Sequence, residues 1–301
     1  MDFSVVVPIR NAKEYIPYLL PRLLEQKGCS EIIIIDSDSQ DGSASLLAQY
    51  PIIYKHIFAT EFNHGATRDM IMDEVKNDIV VFLTQDALPA SSDSLLTLVT
   101  SFEDLRVGVA YGRQLPKLGA NPIEAHARLF NYPEISQLKQ FEDRSMLGIK
   151  TAFSSNSFAA YRKSLYKEVG GFPSHVILSE DTFLAAKMLQ AGYCVAYNAK
   201  ACVYHSHDYT LLEEFRRYFD IGVFHANERW IREVFGAAEG EGMRFVRSEM
   251  RYLMQHKKLL IPEALFRTLL KWIGYRAGIS YTKIPLKLCK KLSMHKRYWF
   301  Y

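Results

Sequence analysis

An α/β nucleotide-binding fold, a parallel sheet with crossover helices followed by a helical C-terminal appendage, is the architecture that the sequence predicts. Three observations carry it. Short apolar runs at Phe3–Pro8, Glu31–Asp36 and Ile79–Leu83 alternate with segments of helical spacing, as strands buried on both faces do. Two of these runs lead into carboxylates, Asp36 and Asp86, at the strand ends where open α/β sheets collect ligands. From Leu211 onward the pattern changes to long helices.

Taken in order, Phe3–Pro8 is a strand closed by proline, and Glu14–Gln26 spaces Tyr15, Tyr18, Leu19, Leu23 and Leu24 helically, with Pro21 as a kink site. Glu31–Asp36 is the second strand, Asp38, Asp41 and Gly42 make the turn after it, Ser43–Tyr50 is helical and Ile52–Ile57 is the third strand. A helix opens at Asn63 and runs to about Val75, and the strand Ile79–Leu83 ends in Thr84-Gln85-Asp86. This strand–helix alternation means a parallel sheet with crossovers. No G-x-G-x-x-G follows either of the first two strands and no phosphate loop is present, which excludes the usual NAD enzymes and P-loop ATPases.

Farther on, the sequence predicts a helix over 92–104 and a strand at Val107–Gly112. Residues 117–150 read as a mobile segment near an acceptor site, with a helix at Glu124–Phe130. Ser154–Tyr161 is a strand, Lys163–Val169 a helix, and Thr182–Gln190 a helix that Gly192 ends. Cys194–Tyr197 and Ala201–His207 are two late strands. Helices follow at Leu211–Phe235, Met243–Leu260 and Glu263–Tyr281, the first two separated by a glycine-containing turn at 236–242.

With 49% hydrophobic residues in 301, the chain can bury a large core and is not disordered. Cys29, Cys194, Cys202 and Cys289 lie far apart with no pairing or zinc spacing, as reduced cytosolic thiols do. The start carries no secretory pattern and no stretch has a transmembrane composition, so a cytoplasmic protein is expected. Charge is asymmetric. Residues 251–301 hold 12 Lys/Arg against the single acid Glu263, whereas the first 250 hold 25 Lys/Arg and 32 acids. A basic end on an acidic body points to an anionic partner, and Trp and Tyr mixed with Lys and Arg in the last residues favour the cytoplasmic membrane surface over nucleic acid. The domain division expected is 1–210 and a membrane-associating 211–301.

Asp86 organises the chemistry. A carboxylate at a strand end can hold a divalent cation against a phosphate, since hard oxygen ligands suit Mg2+ or Mn2+; its alternative role is to cap the turn.

Ser4-Val-Val-Val-Pro-Ile9, Ile35-Asp-Ser-Asp-Ser-Gln-Asp-Gly-Ser43, Thr84-Gln-Asp86 and Ser179-Glu-Asp181, in this order over residues 3–210, resemble inverting glycosyltransferases of family 2. Phe62-Asn-His-Gly-Ala-Thr-Arg68, Phe82-Leu-Thr-Gln-Asp-Ala87, and Tyr204-His-Ser-His-Asp-Tyr209 with Phe215–Gly222 are similar to its rhamnosyltransferase branch. The resemblance implies a GT-A fold, in which a mixed and mostly parallel sheet is flanked by helices. It also implies a dTDP-L-rhamnose donor and a lipid-linked saccharide acceptor of bacterial surface polysaccharide. Gln85 stands where the family often has a first acid, while Asp86, the metal contact, is intact.

On that resemblance Pro8 is a nucleotide-sugar contact, Asp36 and Asp38 accept the imide N–H of a pyrimidine, and Gln85 reaches a ribose hydroxyl. Arg68 reaches the diphosphate or the base from the start of its helix. His205 or His207 completes the metal site with Asp86, since residues two apart on a strand face the same way; His205 is favoured. Asp181 is the general base, while Glu180 and Asn156 contact the acceptor. The imide contact suits UDP as well as dTDP, so a UDP-hexose or UDP-N-acetylhexosamine donor stays open. A nucleotidylyltransferase would need a glycine-rich basic loop where Pro8-Ile-Arg-Asn11 stands. A polysaccharide-binding protein without turnover would have no use for Asp86 and Asp181.

Overall fold

The computed structural model describes residues 1–237 and 240–300. The first half alternates as its apolar runs dictate: β1 (Phe3–Ile9), α1 (Ile16–Leu24), β2 (Cys29–Asp36), α2 (Ser43–Leu47), β3 (Ile53–His56), α3 (His64–Met72) and β4 (Ile79–Leu83). Then come β5 (Leu88–Pro89), α4 (Ser94–Val99), β6 (Val107–Leu115), α5 (Pro122–Asn131), β7 (Gln137–Lys139), α6 (Arg144–Leu147), β8 (Phe158–Arg162), α7 (Lys163–Glu168), α8 (Glu180–Gln190) and β9 (Cys194–Tyr204).

Among the described residues the strands form one sheet in the order β3-β2-β1-β4-β8-β6-β9-β5, with β7 beside β9. β1 to β4 pair in parallel, β8 runs antiparallel to both β4 and β6, and β6 is parallel to β9. The sheet is therefore mixed. Alternating side chains feed two cores: Val6, Val80 and Phe82 face one side, Val5, Val7 and Val81 the other.

Three differences from the sequence reading matter. The strand expected at Ser154–Tyr161 starts at Phe158, leaving Ser154–Ser157 as a loop whose polar groups face the site. The two late strands are one, β9, which skips three residues between the partners of Gly112 and Arg113. His205 and His207 lie beyond its end, although His205 continues the pairing by donating its N–H to the Leu115 carbonyl at 2.8 Å. The segment read as mobile, 117–150, is tied down: Lys139 on β7 is buried and donates to the carbonyls of Lys150 and Phe153.

The C-terminal helices are α9 (Leu211–Asn227), α10 (Arg229–Phe235), α11 (Glu241–His256), α12 (Ile261–Ile279) and α13 (Leu286–Leu292). α9 opens on a reciprocal Thr210/Glu213 cap and breaks at Glu228, where a single longer helix was expected. Residues 238 and 239 of the expected turn lie outside the described residues. Phe219, Val223, Phe224, Ile231, Phe235 and Cys289 join the sheet core on the side of α3 and α8. Tyr298 and Trp299, expected in a membrane interface, fold back onto the protein: Trp299 packs on Phe219 and Tyr281, and the Tyr298 hydroxyl accepts from Asn227.

α9 and α12 touch backbone to backbone. A Cβ on Gly278 would fall 2.0 Å from the Phe219 carbonyl oxygen, and one on Gly274 would fall 2.5 Å from that of Phe215. Gly278→Ala is expected to cost about 1–3 kcal/mol in urea unfolding. Gly242→Ala, facing open space in α11, is the control expected to cost nothing.

Candidate active site

Three non-glycine residues among those described hold a positive φ: Asn11 (50°), Asp38 (63°) and Ser179 (63°). Asn11 and Asp38 follow the carboxyl ends of β1 and β2, and Ser179 opens α8 directly before Glu180 and Asp181. Backbone in this region is disfavoured for L-residues and persists where surrounding contacts impose it, often at functional sites.

At the first two strand ends the donor-side candidates diverge. Pro8 is the half-exposed penultimate residue of β1. Asp36 is buried, and both its oxygens are used: Oδ1 accepts the Ser39 N–H at 3.0 Å and Oδ2 the Tyr54 hydroxyl at 3.1 Å. Asp36 thereby shapes the turn after β2. Asp38 projects from that turn, half open, accepting from the Gln40 amide at 3.0 Å. Gln85 is likewise engaged, because its amide bonds both the N–H and the carbonyl of Arg10. It ties the β1 and β4 loops together.

Arg68 turns inward. Asn63 caps α3 by accepting from the N–H groups of Gly65 and Ala66, and the helix then aims Arg68 into the protein. Its guanidinium is buried, lying 3.1 Å from Glu180 and donating to the His64 carbonyl at 2.8 Å. Glu180, expected to contact the acceptor, is itself buried in this group. Its Oε1 takes both Arg68 at 3.1 Å and the Asn156 amide at 2.9 Å, while Asn156 Oδ1 accepts from the Tyr161 hydroxyl. Burial, the largest single influence, opposes ionisation of Glu180, but Arg68, His64 and the hydrogen bond from Asn156 together keep its pKa low.

Asp181 stands in front of this group in the first turn of α8. Its carboxylate accepts the Asn156 N–H at 3.0 Å and the Thr182 N–H at 2.7 Å. Burial, then the charge of Glu180, raise its pKa to about 6. That places a partly accessible carboxylate near the value at which a general base works best in neutral solution.

At the β4 end, Asp86 Oδ2 lies 3.3 Å from His205 Nε2, 3.7 Å from His207 Nδ1 and 3.6 Å from Lys117 Nζ. Burial would raise its pKa, but these neighbours hold it well below the usual carboxylate range. The tautomer of His205 is determined. Arg128, which can only donate, sits 2.6 Å from Gln114 Oε1, so that atom is an acceptor, and His205 Nδ1 at 2.8 Å must donate to it. Burial lowers the pKa of His205, and in the neutral ring Nε2 is then a lone pair, buried and facing a carboxylate. Two acceptors face each other, as they do around a cation. The ligand atoms of Asp86, His205 and His207 all fall within 4.8 Å of one another, a possible metal-binding triad of one oxygen and two nitrogens.

The carboxylate and the triad are joined. The Gln114 amide donates to the Ser155 hydroxyl at 2.9 Å, and the next residue, Asn156, holds Asp181. A cleft of about 1380 Å³ is lined by Arg10, His64, Glu213, Arg216, His295 and Arg297, and neither Asp181 nor the triad is among its lining residues.

The glycosyl transferase family 2 model matches residues 4–170, more than half of the chain. This chain belongs to glycosyl transferase family 2. The transferase is 46% identical to the O-antigen chain rhamnosyltransferase RfbN of Salmonella typhimurium, over 99% of this chain and 96% of that one. It is 48% identical to the O-antigen chain rhamnosyltransferase WbaN of Salmonella anatum, with the same coverage. Its fold is like that of the mannosyltransferase PcManGT from Pyrobaculum calidifontis in complex with GDP-Man and Mn2+, at TM-score 0.59 and 19% identity over 99% of this chain and 84% of that one. The transferase is an inverting enzyme of GT-A fold that takes a nucleotide-sugar donor and a saccharide acceptor.

Sequence reasoning missed Gln114, Ser155, Lys117 and Arg217 of the transferase. Nothing local marks Gln114, whose role depends on β6 and β9 lying side by side. Arg217, on α9, stacks over Tyr209 at 5.8 Å and has no carboxylate partner among the described residues; the Phe215–Gly222 stretch contained it.

Glu180→Ala would strand a buried guanidinium and free Asn156. It is expected to destabilise the protein by about 3–5 kcal/mol in urea unfolding. A loss below about 1 kcal/mol would mean that the pair is solvated.

Proposed function

We propose that this transferase moves L-rhamnose from dTDP-L-rhamnose to a hydroxyl of a lipid-linked saccharide in O-antigen synthesis, using Mg2+ or Mn2+, at the inner face of the cell membrane. The observation that carries the substrate assignment is full-length likeness to two O-antigen chain rhamnosyltransferases. The unpartnered Nε2 of His205 opposite Asp86 supports the metal.

Asp181 takes the proton of the incoming acceptor hydroxyl, and attack from the side opposite the leaving diphosphate inverts the anomeric carbon. The N–H groups of Asn156 and Thr182 hold its carboxylate in one orientation. Asp38, the more exposed of the two carboxylates after β2, accepts the pyrimidine imide, and Arg217 supplies positive charge near His207. A divalent cation held by Asp86, His205 and His207 would supply counter-charge to the departing nucleoside diphosphate.

Donor turnover is measured across dTDP-rhamnose, UDP-glucose, UDP-galactose and UDP-N-acetylglucosamine, with manganese or with chelator. Turnover of dTDP-rhamnose alone is expected, abolished by chelator and lowered about 10²–10⁴-fold in Asp181→Asn with donor binding kept. Preference for a UDP-sugar would sink the donor assignment and leave the mechanism intact.

The raised pKa of Asp181 sets the pH dependence. A base must be ionised, so kcat/KM falls as pH drops through about 6 and is level above it. A profile level down to the ordinary carboxylate range would remove Asp181 from the role of base.

A further inference from the structure

α12 is built inside out. Its inward side carries Ala264, Gly274 and Gly278 together with two cations, Arg267 and Lys271. Arg267 lies 3.0 Å from Glu214 and 2.8 Å from Glu263, and Lys271 lies 2.8 Å from Glu214. The outward side carries Leu265, Phe266, Leu269, Trp272 and Ile273, which are 40–61% exposed. At 100° per residue these five fall within one face about 120° wide, with Pro262 and Arg276 the other exposed residues on it. A water-facing helix normally shows the reverse arrangement.

We propose that this face of α12 is the surface by which the protein docks on an anionic phospholipid bilayer, lying in the plane of the interface. The inference rests on the reading that the acceptor is lipid-linked. No described helix is long and apolar enough to cross a membrane, so α12 is an in-plane element. Its ends are basic: exposed Lys257 and Lys258 precede it, and Arg276, Lys283 and Lys287 close and follow it. The only acid in residues 251–301, Glu263, is held by Arg267. An apolar face ending in cations, with Trp272 on it, matches acyl chains bordered by anionic headgroups. A second copy is disfavoured by charge, because a two-fold contact through this face brings the same cations together without acids to meet them.

The test uses the full chain in flotation with phosphatidylethanolamine–phosphatidylglycerol vesicles and with pure phosphatidylcholine vesicles. Wild type is expected to float with the anionic vesicles and to be released by high salt. Leu269→Gln with Trp272→Gln is expected to lower vesicle affinity about tenfold or more. Both side chains are exposed, so the thermal melt and vesicle-free donor hydrolysis stay unchanged. Wild type that does not float, or a double variant that floats equally well, overturns the proposal. So does light scattering that shows a wild-type dimer dissolved by the variant with vesicle binding intact. Calorimetric donor binding without vesicles reports separately on the transferase reading, and its failure would leave the flotation result standing.

Discussion

The buried pairing of Arg68 with Glu180 is the interaction on which the arrangement of the active site depends. Burying two charges is costly, and the cost is offset only where further hydrogen bonds satisfy them. Here Arg68 also binds the His64 carbonyl, and Glu180 binds the Asn156 amide. The pair thereby joins α3, α8 and the loop before β8. It also acts on Asp181 in two ways. Position comes from the Asn156 backbone, fixed by its side chain on Glu180, and proton affinity comes partly from the charge that Arg68 keeps on Glu180. One ion pair behind the site thus helps to place the carboxylate in front and adds to the effect of burial on its basicity.

The same loop reaches the other half of the site. Ser155 holds the Gln114 amide, Gln114 fixes the tautomer of His205, and His205 faces Asp86. A metal-ligating histidine depends on what its other nitrogen does, and here that partner is itself oriented by Arg128. The Ser155-Asn156 dipeptide therefore couples the spacing of base and triad through backbone geometry. A strand there would have paired these groups in a ladder; as a loop, it leaves them free for the site.

How much of this was legible followed from the range of the interaction. β1 to β4 were legible because β-branched runs report burial on both faces, and Asp86 and Asp181 because they stand at the ends of such elements. At Asp36, Gln85, Glu180 and Asn156 the sequence shows only a polar residue near a strand end or helix start, which looks the same whether it faces solvent or protein. What separates the two cases is a partner remote in sequence: Tyr54 for Asp36, the Arg10 backbone for Gln85, Arg68 for Glu180. The antiparallel sense of β8 was hidden for the same reason. Strand direction is a property of pairing, and the apolar run Phe158–Tyr161 reads alike in either sense.

α12 shows the limit of periodicity most clearly. Its apolar and basic residues were visible as two stripes, but the pattern alone assigns the apolar stripe to the inside. The assignment reverses because Glu214 of α9 waits under the basic stripe and three glycines, Gly222, Gly274 and Gly278, let the two backbones close together. A large side chain has no room in that contact, whereas the long stems of Arg267 and Lys271 reach past it to their carboxylates. The apolar stripe is left outside as a consequence of how α9 and α12 fit. Since α9 also carries Phe219 into the sheet core and Arg217 beside His207, the outward face is joined to the active site by direct backbone packing. A bilayer docked there as proposed would meet the sheet at one orientation, and a lipid-borne acceptor would approach Asp181 from one side.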